Sequence, residues 1–272
     1  MNPVLGVVAG YPVYVFPLLL NAGIVAGLAQ ALYLARRRGL DPAGYLDVAI
    51  WVVPGALIGS RLAYAAANWG EYAANPLTVF SLWEGGLSLL GAVTVGAAVA
   101  WWALGAQRLP RGVGLDAAAV GLALGQTIGR LGCLAAGCAT GVELPPGSAL
   151  PALPLPDSTG LVASRFPSQI VESLADLLLW GLLLWLWARR LRPGAVAVAY
   201  LIGYGTLRFL AEPLREHAPA LGPFTWVLTW GQAWGALAAA IGVGVLARWM
   251  LLRRERPGAE GAPPAPEYAG DV

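Results

Sequence analysis

The chain is predicted to be an all-α, polytopic membrane protein with seven transmembrane helices, its N-terminus outside and its C-terminus in the cytoplasm. Three observations lead there. Of 272 residues, 58% are hydrophobic and only 12% charged, about half the charge of a soluble domain. Mean hydropathy is +0.65, and apolar runs recur near the roughly 20 residues that cross a bilayer. The basic residues, all arginine, crowd into alternate loops.

The spans are read near Tyr11–Leu34, Leu46–Asn68, Leu87–Ala106, Ala117–Ala136, Ile170–Trp187, Ala195–Ala211 and Trp226–Leu252. Arg36, Arg37 and Arg38 follow the first, Arg108 and Arg111 the third, and Arg189, Arg190 and Arg192 the fifth. Arg248, Arg253, Arg254 and Arg256 lie at or after the end of the seventh. The opposite loops carry only Arg165 and Arg215. Excess Arg in cytoplasmic loops sets the orientation. The N-terminus lacks a basic leader region and its first apolar run is long enough to span, so that run is read as a helix rather than a cleaved signal. Trp69, Trp83, Trp101, Trp102, Trp226, Trp230 and Trp249 fall near span ends, as an interfacial belt requires. The membrane domain is therefore expected over residues 1–255. Within it, a Pro/Gly-rich external segment over 139–167 is expected to be irregular. The Pro/Ala/Gly/acid-rich tail, 256–272, is expected to be disordered in the cytoplasm. No internal repeat of fixed period is visible, which weighs against an inverted-repeat transporter.

Two cysteines make no disulfide framework, and one histidine excludes a multi-His metal site. The chemistry should lie with three arginines inside apolar runs: Arg61, Arg130 and Arg208. A guanidinium at the centre of a bilayer costs at least ~2.5–3.5 kcal/mol, so such residues face the bundle interior and hold a counter-charge. Two readings stand. Arg130 and Arg208 together can clamp a phosphate or carboxylate. Alternatively each is ion-paired within the protein, Arg208 with Glu212 at i,i+4 and the others with Glu84, Glu172 or Asp176. Arg61, mid-span with Tyr64 one turn on, fits a structural role better. Small residues (Gly55, Gly59 and Ser60; Gly121, Gly125 and Gly129; Gly203 and Gly205) are read as close helix packing. Gly132 and Gly137 are expected to break the helix beside Arg130, where backbone can approach a head group. Cys133 and Cys138 would lie ~140° apart on a continuous helix, too far to bridge; a helix end at 135–137 allows a disulfide. His217, the only imidazole, is read as a solvated loop residue.

Six colinear segments add a resemblance. GALIGSRLAYAAANW (Gly55–Trp69), LWEGGLSLLGAV (Leu82–Val93), GRLGCLAAGC (Gly129–Cys138), FPSQIVES (Phe166–Ser173), GYGTLRFLAEPLRE (Gly203–Glu216) and LTWGQ (Leu228–Gln232) resemble motifs of the prolipoprotein diacylglyceryl transferase family. The resemblance implies a multi-pass protein of the bacterial inner (cytoplasmic) membrane. It implies transfer of a diacylglyceryl group from phosphatidylglycerol to a lipoprotein-precursor cysteine, without cofactor or nucleic acid. The implied partners are an anionic phospholipid and a lipoprotein precursor or another membrane protein. Arg130, Arg208 and Glu212 match positions implied to be catalytic. Arg130, Arg208, Tyr204, Gly132, Ser168, Gln169 and Ser88 match positions implied to bind lipid. Leu90 stands at the family's motif histidine and Phe166 at a second. Cys133 stands at the signature Asn, Cys138 at the signature Glu, and Phe16 at the first-span tyrosine. The two cysteines are thus candidate reactive thiols. A second reading stays open: a non-catalytic member acting as a lipid-binding accessory subunit or a thiol-dependent carrier.

Overall fold

The computed structural model describes residues 4–8, 11–73, 75–81, 86–157, 159–216 and 229–254. The chain opens with an antiparallel hairpin, Val4–Val8 (β1) against Tyr11–Tyr14 (β2). The first helix, Val15–Arg37 (α1), consequently begins four residues later than the hydropathy predicts. Valines and tyrosines in VLGVV and YPVY are apolar enough to read as a span, but β-branched and aromatic side chains also suit a pleated strand.

After α1 come Pro42–Ala67 (α2), a short turn of helix Trp69–Tyr72 (α3) and a 3-10 turn Pro76–Phe80. Then follow Leu89–Ala106 (α4) and Arg111–Ala136 (α5). Asp41 caps α2 by accepting the Gly44 amide at 2.8 Å, with Pro42 in the first turn, where a missing N–H costs nothing. A second hairpin, Leu153–Pro156 (β3) with Val162–Arg165 (β4), precedes Ser168–Ala188 (α6), Ala195–Ala211 (α7) and Trp230–Arg254 (α8). The segment 139–167 is thus not irregular throughout. Its turn is built by Asp157, whose carboxylate accepts the Thr159 amide and hydroxyl at 2.8 and 2.6 Å and the Leu161 amide at 3.0 Å.

Among the described residues, six helices are long and apolar enough to cross a membrane; over Gly91–Ala106 the apolar stretch of α4 is shorter. Large aliphatic side chains stand exposed on their outer faces, Leu178 at 76% and Val25 at 66%, where a water-soluble fold would bury them. The molecule is a helical polytopic membrane protein.

Glycine sets the helix spacing, because lipid supplies no hydrophobic drive between helices and close backbone contact must substitute. Gly23 and Gly27 of α1 face Gly125 and Gly121 of α5; a Cβ on Gly27 would come within 2.5 Å of the Gly121 carbonyl oxygen. Gly55 and Gly59 of α2 receive Val99 and Val95 of α4, and Gly205 of α7 meets Gly235 of α8. Gly129 has open space around it and takes no part in this packing.

The arginine-rich loops share one end of the bundle. There the Arg38 guanidinium lies over the Trp187 ring, 4.4 Å from its centroid. Asp116 of α5 accepts the Gly194 and Ala197 amides at the start of α7, at 2.8 and 2.7 Å. The β3–β4 hairpin, the end of α5, the start of α6 and the end of α7 lie at the other end, where Thr140, Arg165, Ser168, Gln169, Glu172 and Glu212 are buried. Trp69, Trp101, Trp102, Trp230 and Trp249 stand near helix ends. Trp83, Glu84, Trp226, His217 and the tail from Arg256 lie outside the described residues.

Candidate functional site

Helical spacing builds the site. On α6, Glu172 and Asp176 are four apart and share a face; on α7, Tyr204 and Arg208 repeat the interval, and Glu212 continues it into a 3-10 turn, Glu212–Leu214. Arg130 reaches in from α5. Its Nη2 meets Glu172 Oε2 at 2.7 Å and its Nε lies 3.6 Å from Asp176 Oδ2. Arg208 Nη2 meets Glu212 Oε2 at 2.6 Å. Two tyrosines of α7 stack on each other, Tyr200 on Tyr204, with centroids 5.5 Å apart. Tyr200 O–H donates to Gln126 Oε1 of α5 at 3.1 Å, and Ser173 Oγ of α6 donates to the Thr127 carbonyl at 2.9 Å. These bonds fix the three helices around the charges.

Arg215, read from sequence as a loop residue, completes the cluster. It sits 4.0 Å from Glu212 and pairs with both oxygens of Glu172. Three guanidiniums and three carboxylates therefore balance. The carboxylates are buried, with Glu212 and Asp176 each 3% exposed. Arg215 stands in extended backbone just after the 3-10 turn; its place in the segment Gly203–Glu216, three residues beyond Glu212, was the available signal.

Both readings of the intramembrane arginines are partly met. Each is tied to a carboxylate, yet both line a single cavity of about 160 Å³, together with Tyr204, Glu172, Asp176, Ser168 and apolar Leu207, Leu210 and Leu214. Within it, the buried Tyr204 hydroxyl and Arg208 Nη1 have no hydrogen-bond partner among the described residues. Two donors thus remain after every ion pair is made.

Other predicted site residues sit elsewhere. Gly132 stays inside α5, where its missing side chain admits Phe16 and Leu19 of α1. It neither breaks the helix nor faces a head group, because the α5 pattern continues to Ala136. Gly137 does end the helix, at φ +67°, and its bare Cα lets the backbone of Pro156 and Asp157 lie against it. Ser88 caps α4, its Oγ 3.5 Å from the Gly91 amide, and does not line the cavity. Ser168 touches the cavity but spends its hydroxyl on the Ala139 carbonyl at 2.8 Å; Gln169 donates to the Cys138 carbonyl at 3.0 Å. Both hold the segment after α5. Glu212, predicted as catalytic, is committed to Arg208 and Arg215.

Arg61 lies at another place and is structural, as its position implied. It donates to the carbonyls of Val79, Gly86, Thr78 and Ser81 at 2.7–3.1 Å and lies over the Tyr72 ring. Arg165, 1% exposed, also escaped the sequence reading; it pairs with Asp157 and Glu216 at the base of the hairpin. Cys133 and Cys138 are free thiols and close neighbours at the end of α5. The adjacent Cys133 thiol, and then burial, push the Cys138 thiol well above its ordinary value.

Comparison with known proteins bears on this arrangement. The family profile described as prolipoprotein diacylglyceryl transferase matches residues 3–248. A phosphatidylglycerol–prolipoprotein diacylglyceryl transferase of Gloeobacter violaceus is 33% identical over 258 residues, covering 93% of this chain and 94% of its own. The protein of the same name from Verminephrobacter eiseniae is 38% identical, covering 78% and 75%; that of Synechococcus elongatus is 34% identical, covering 76% and 74%. The match runs through all three helices that hold the Arg130–Arg208 cavity, and the chain belongs to the prolipoprotein diacylglyceryl transferase family of membrane transferases.

Proposed function

We propose that this protein transfers the diacylglyceryl group of a phosphatidylglycerol-type lipid to a cysteine thiol of a prolipoprotein, the substrates in its relatives' names. The observation that carries the assignment of the site is the cavity where the Tyr204 hydroxyl and Arg208 Nη1 stand unpaired beside Arg130. A phosphodiester carries one negative charge. It can take those two donors without dismantling the balanced ion pairs, while its acyl chains run along Leu207, Leu210 and Leu214.

In the reaction, a thiol sulfur attacks the glycerol carbon, the carbon–oxygen bond to phosphate breaks, and glycerol phosphate leaves. Charge builds on the phosphate, so donors fixed beforehand stabilise the transition state more than the ground state. Arg208 and Tyr204 are assigned that role, with Arg130 behind them. Glu212 orients Arg208. Asp176, whose Oδ2 lies in the same cavity without a hydrogen-bond partner among the described residues, is assigned the thiol proton.

The finer topology follows the charge pattern. The arginine-rich end faces the cytoplasm and the hairpin end faces outward, with α4 as a seventh span, the N-terminus outside and the C-terminus inside. The membrane domain is 1–255 with its external segment 139–167, and 256–272 is a cytoplasmic tail. The protein resides in the bacterial inner membrane.

The test is turnover of phosphatidylglycerol with a lipobox peptide by the purified protein in lipid. Arg208→Ala should lower kcat about 10²–10³-fold, the scale for losing one transition-state donor. Asp176→Asn should lower kcat about 10²-fold with KM little changed. Wild-type protein that inserts correctly yet never transfers would overturn the reading.

A further inference from the structure

Helix α5 ends in a paired-bond turn. The Cys138 amide donates to the Cys133 carbonyl at 3.0 Å and the Gly137 amide to the Leu134 carbonyl at 3.4 Å, with Gly137 left-handed at φ +67°. This is the Schellman arrangement, a six-to-one bond enclosing a five-to-two bond. It carries a characteristic contact between the first and last side chains of the turn. Here those two residues are Cys133 and Cys138, both free thiols. A six-to-one backbone bond brings the two chain segments to the separation a disulfide spans, roughly 4.4–6.8 Å between Cα atoms. The turn thus removes the obstacle that a continuous helix would impose.

The surroundings fix this corner. Gln169 and Ser168 pin the carbonyls of Cys138 and Ala139 to the start of α6. Beyond them, the Glu216 amide donates to the Thr140 carbonyl at 2.9 Å, the Val142 amide donates to the Leu214 carbonyl at 3.0 Å, and Gly141 bridges Arg215. The segment leaving the cysteine pair therefore holds Arg215, and Arg130 lies one turn before Cys133 on the same helix.

We propose that Cys133 and Cys138 form an intramolecular disulfide by exchange with a disulfide-bearing oxidant, making the end of α5 a redox modification site beside the Arg130–Arg215 cluster. One thiolate attacks a sulfur of the oxidant, forming a mixed disulfide and releasing a thiolate. The second cysteine then displaces the remaining thiolate. Two S–H bonds and the oxidant's S–S bond are lost, one new S–S bond forms, and the two electrons and two protons leave with the oxidant as two thiols. The product ties the last turn of α5 covalently to the segment that seats Arg215. The inference concerns thiol chemistry and stands whether or not the transfer reading holds.

The test uses full-length protein in lipid nanodiscs, treated with glutathione disulfide, denatured, alkylated with N-ethylmaleimide and weighed intact. The expected product has lost two hydrogens and carries no maleimide; dithiothreitol restores two maleimide adducts. Cys133→Ser and Cys138→Ser should each stop at one stable glutathione adduct, since no second thiol resolves it. Two alkylatable thiols surviving in the wild type, or glutathione adducts persisting there as the end product, would overturn the proposal. So would single variants that stay free of glutathione while the wild type remains reduced.

Discussion

Arg215 grips Glu172 with its fork, Nε donating to Oε1 at 2.7 Å and Nη2 to Oε2 at 3.2 Å. The same carboxylate meets Arg130, so one side chain of α6 serves cations from two other parts of the chain. Glu172→Gln keeps the shape and removes the charge, leaving two carboxylates among three guanidiniums. Breaking a buried pair from one side costs about 3–5 kcal/mol. The unfolding midpoint in lipid should fall well below that of the exposed-site control Glu143→Gln. Equal midpoints for the two variants would contradict a structural role for Glu172.

Arg61 donates to the backbone carbonyls of Thr78, Val79, Ser81 and Gly86. Charge-assisted bonds of this kind contribute about 1.5–3 kcal/mol each, without simple additivity. Arg61→Ala should therefore expose the connection between α2 and α4 to protease, with cleavage between residues 73 and 88 well before the bundle unfolds. Arg61→Lys, which cannot present the planar fork, should be intermediate. An unchanged cleavage pattern in the alanine variant would count against this role.

Two glycines allow a matched comparison. A methyl group at Gly27 would press on the Gly121 carbonyl, whereas Gly129 has nothing within 4 Å. Gly27→Ala should destabilise by about 1–3 kcal/mol through overpacking. Gly129→Ala should be neutral or stabilising by up to about 1 kcal/mol, the helix-propensity gain. Equilibrium unfolding in mixed micelles reads both, and the prediction is lost if the order is reversed.

The hairpin turn should respond to acid. The Thr159 hydroxyl, followed by the Leu161 and Thr159 amides and then Arg165, holds the Asp157 carboxyl below its ordinary 3.8. A carboxylate depressed on folding contributes fully above its unfolded value, and the contribution is lost as pH falls through the lower folded value. Amide exchange at Thr159 and Leu161, corrected for intrinsic rates, should therefore stay slow down to about 3.8 and lose protection only below it. Asp157→Ala should show the unprotected rates already at neutral pH. Protection lost well above the ordinary value would argue against the turn as its source.

Much of the fold was legible because its signals are local. Hydropathy marked the helices, and small-residue spacing marked close-packing faces on the second, fourth and sixth spans but not which helix each one meets, since only the first follows from what single helices must expose to lipid. The first strands and the β3–β4 hairpin were not legible. Apolar β-branched residues score alike in a span and in a strand, and pairing depends on a partner several residues away. In the site, the i,i+4 pair Arg208–Glu212 was readable on one helix. The partners of Arg130, the recruitment of Arg215 and the burial of Arg165 were not, because each depends on how separate elements converge.

Residue order alone requires that charged groups lie within apolar helices and be answered there, because hydration is absent at that depth whatever the fold. Which carboxylate answers which guanidinium, and that Tyr204 and one nitrogen of Arg208 remain unanswered among the described residues, follows from how the helices pack. Ion pairing acts over a few ångströms in space, and helix packing, not chain order, sets those distances.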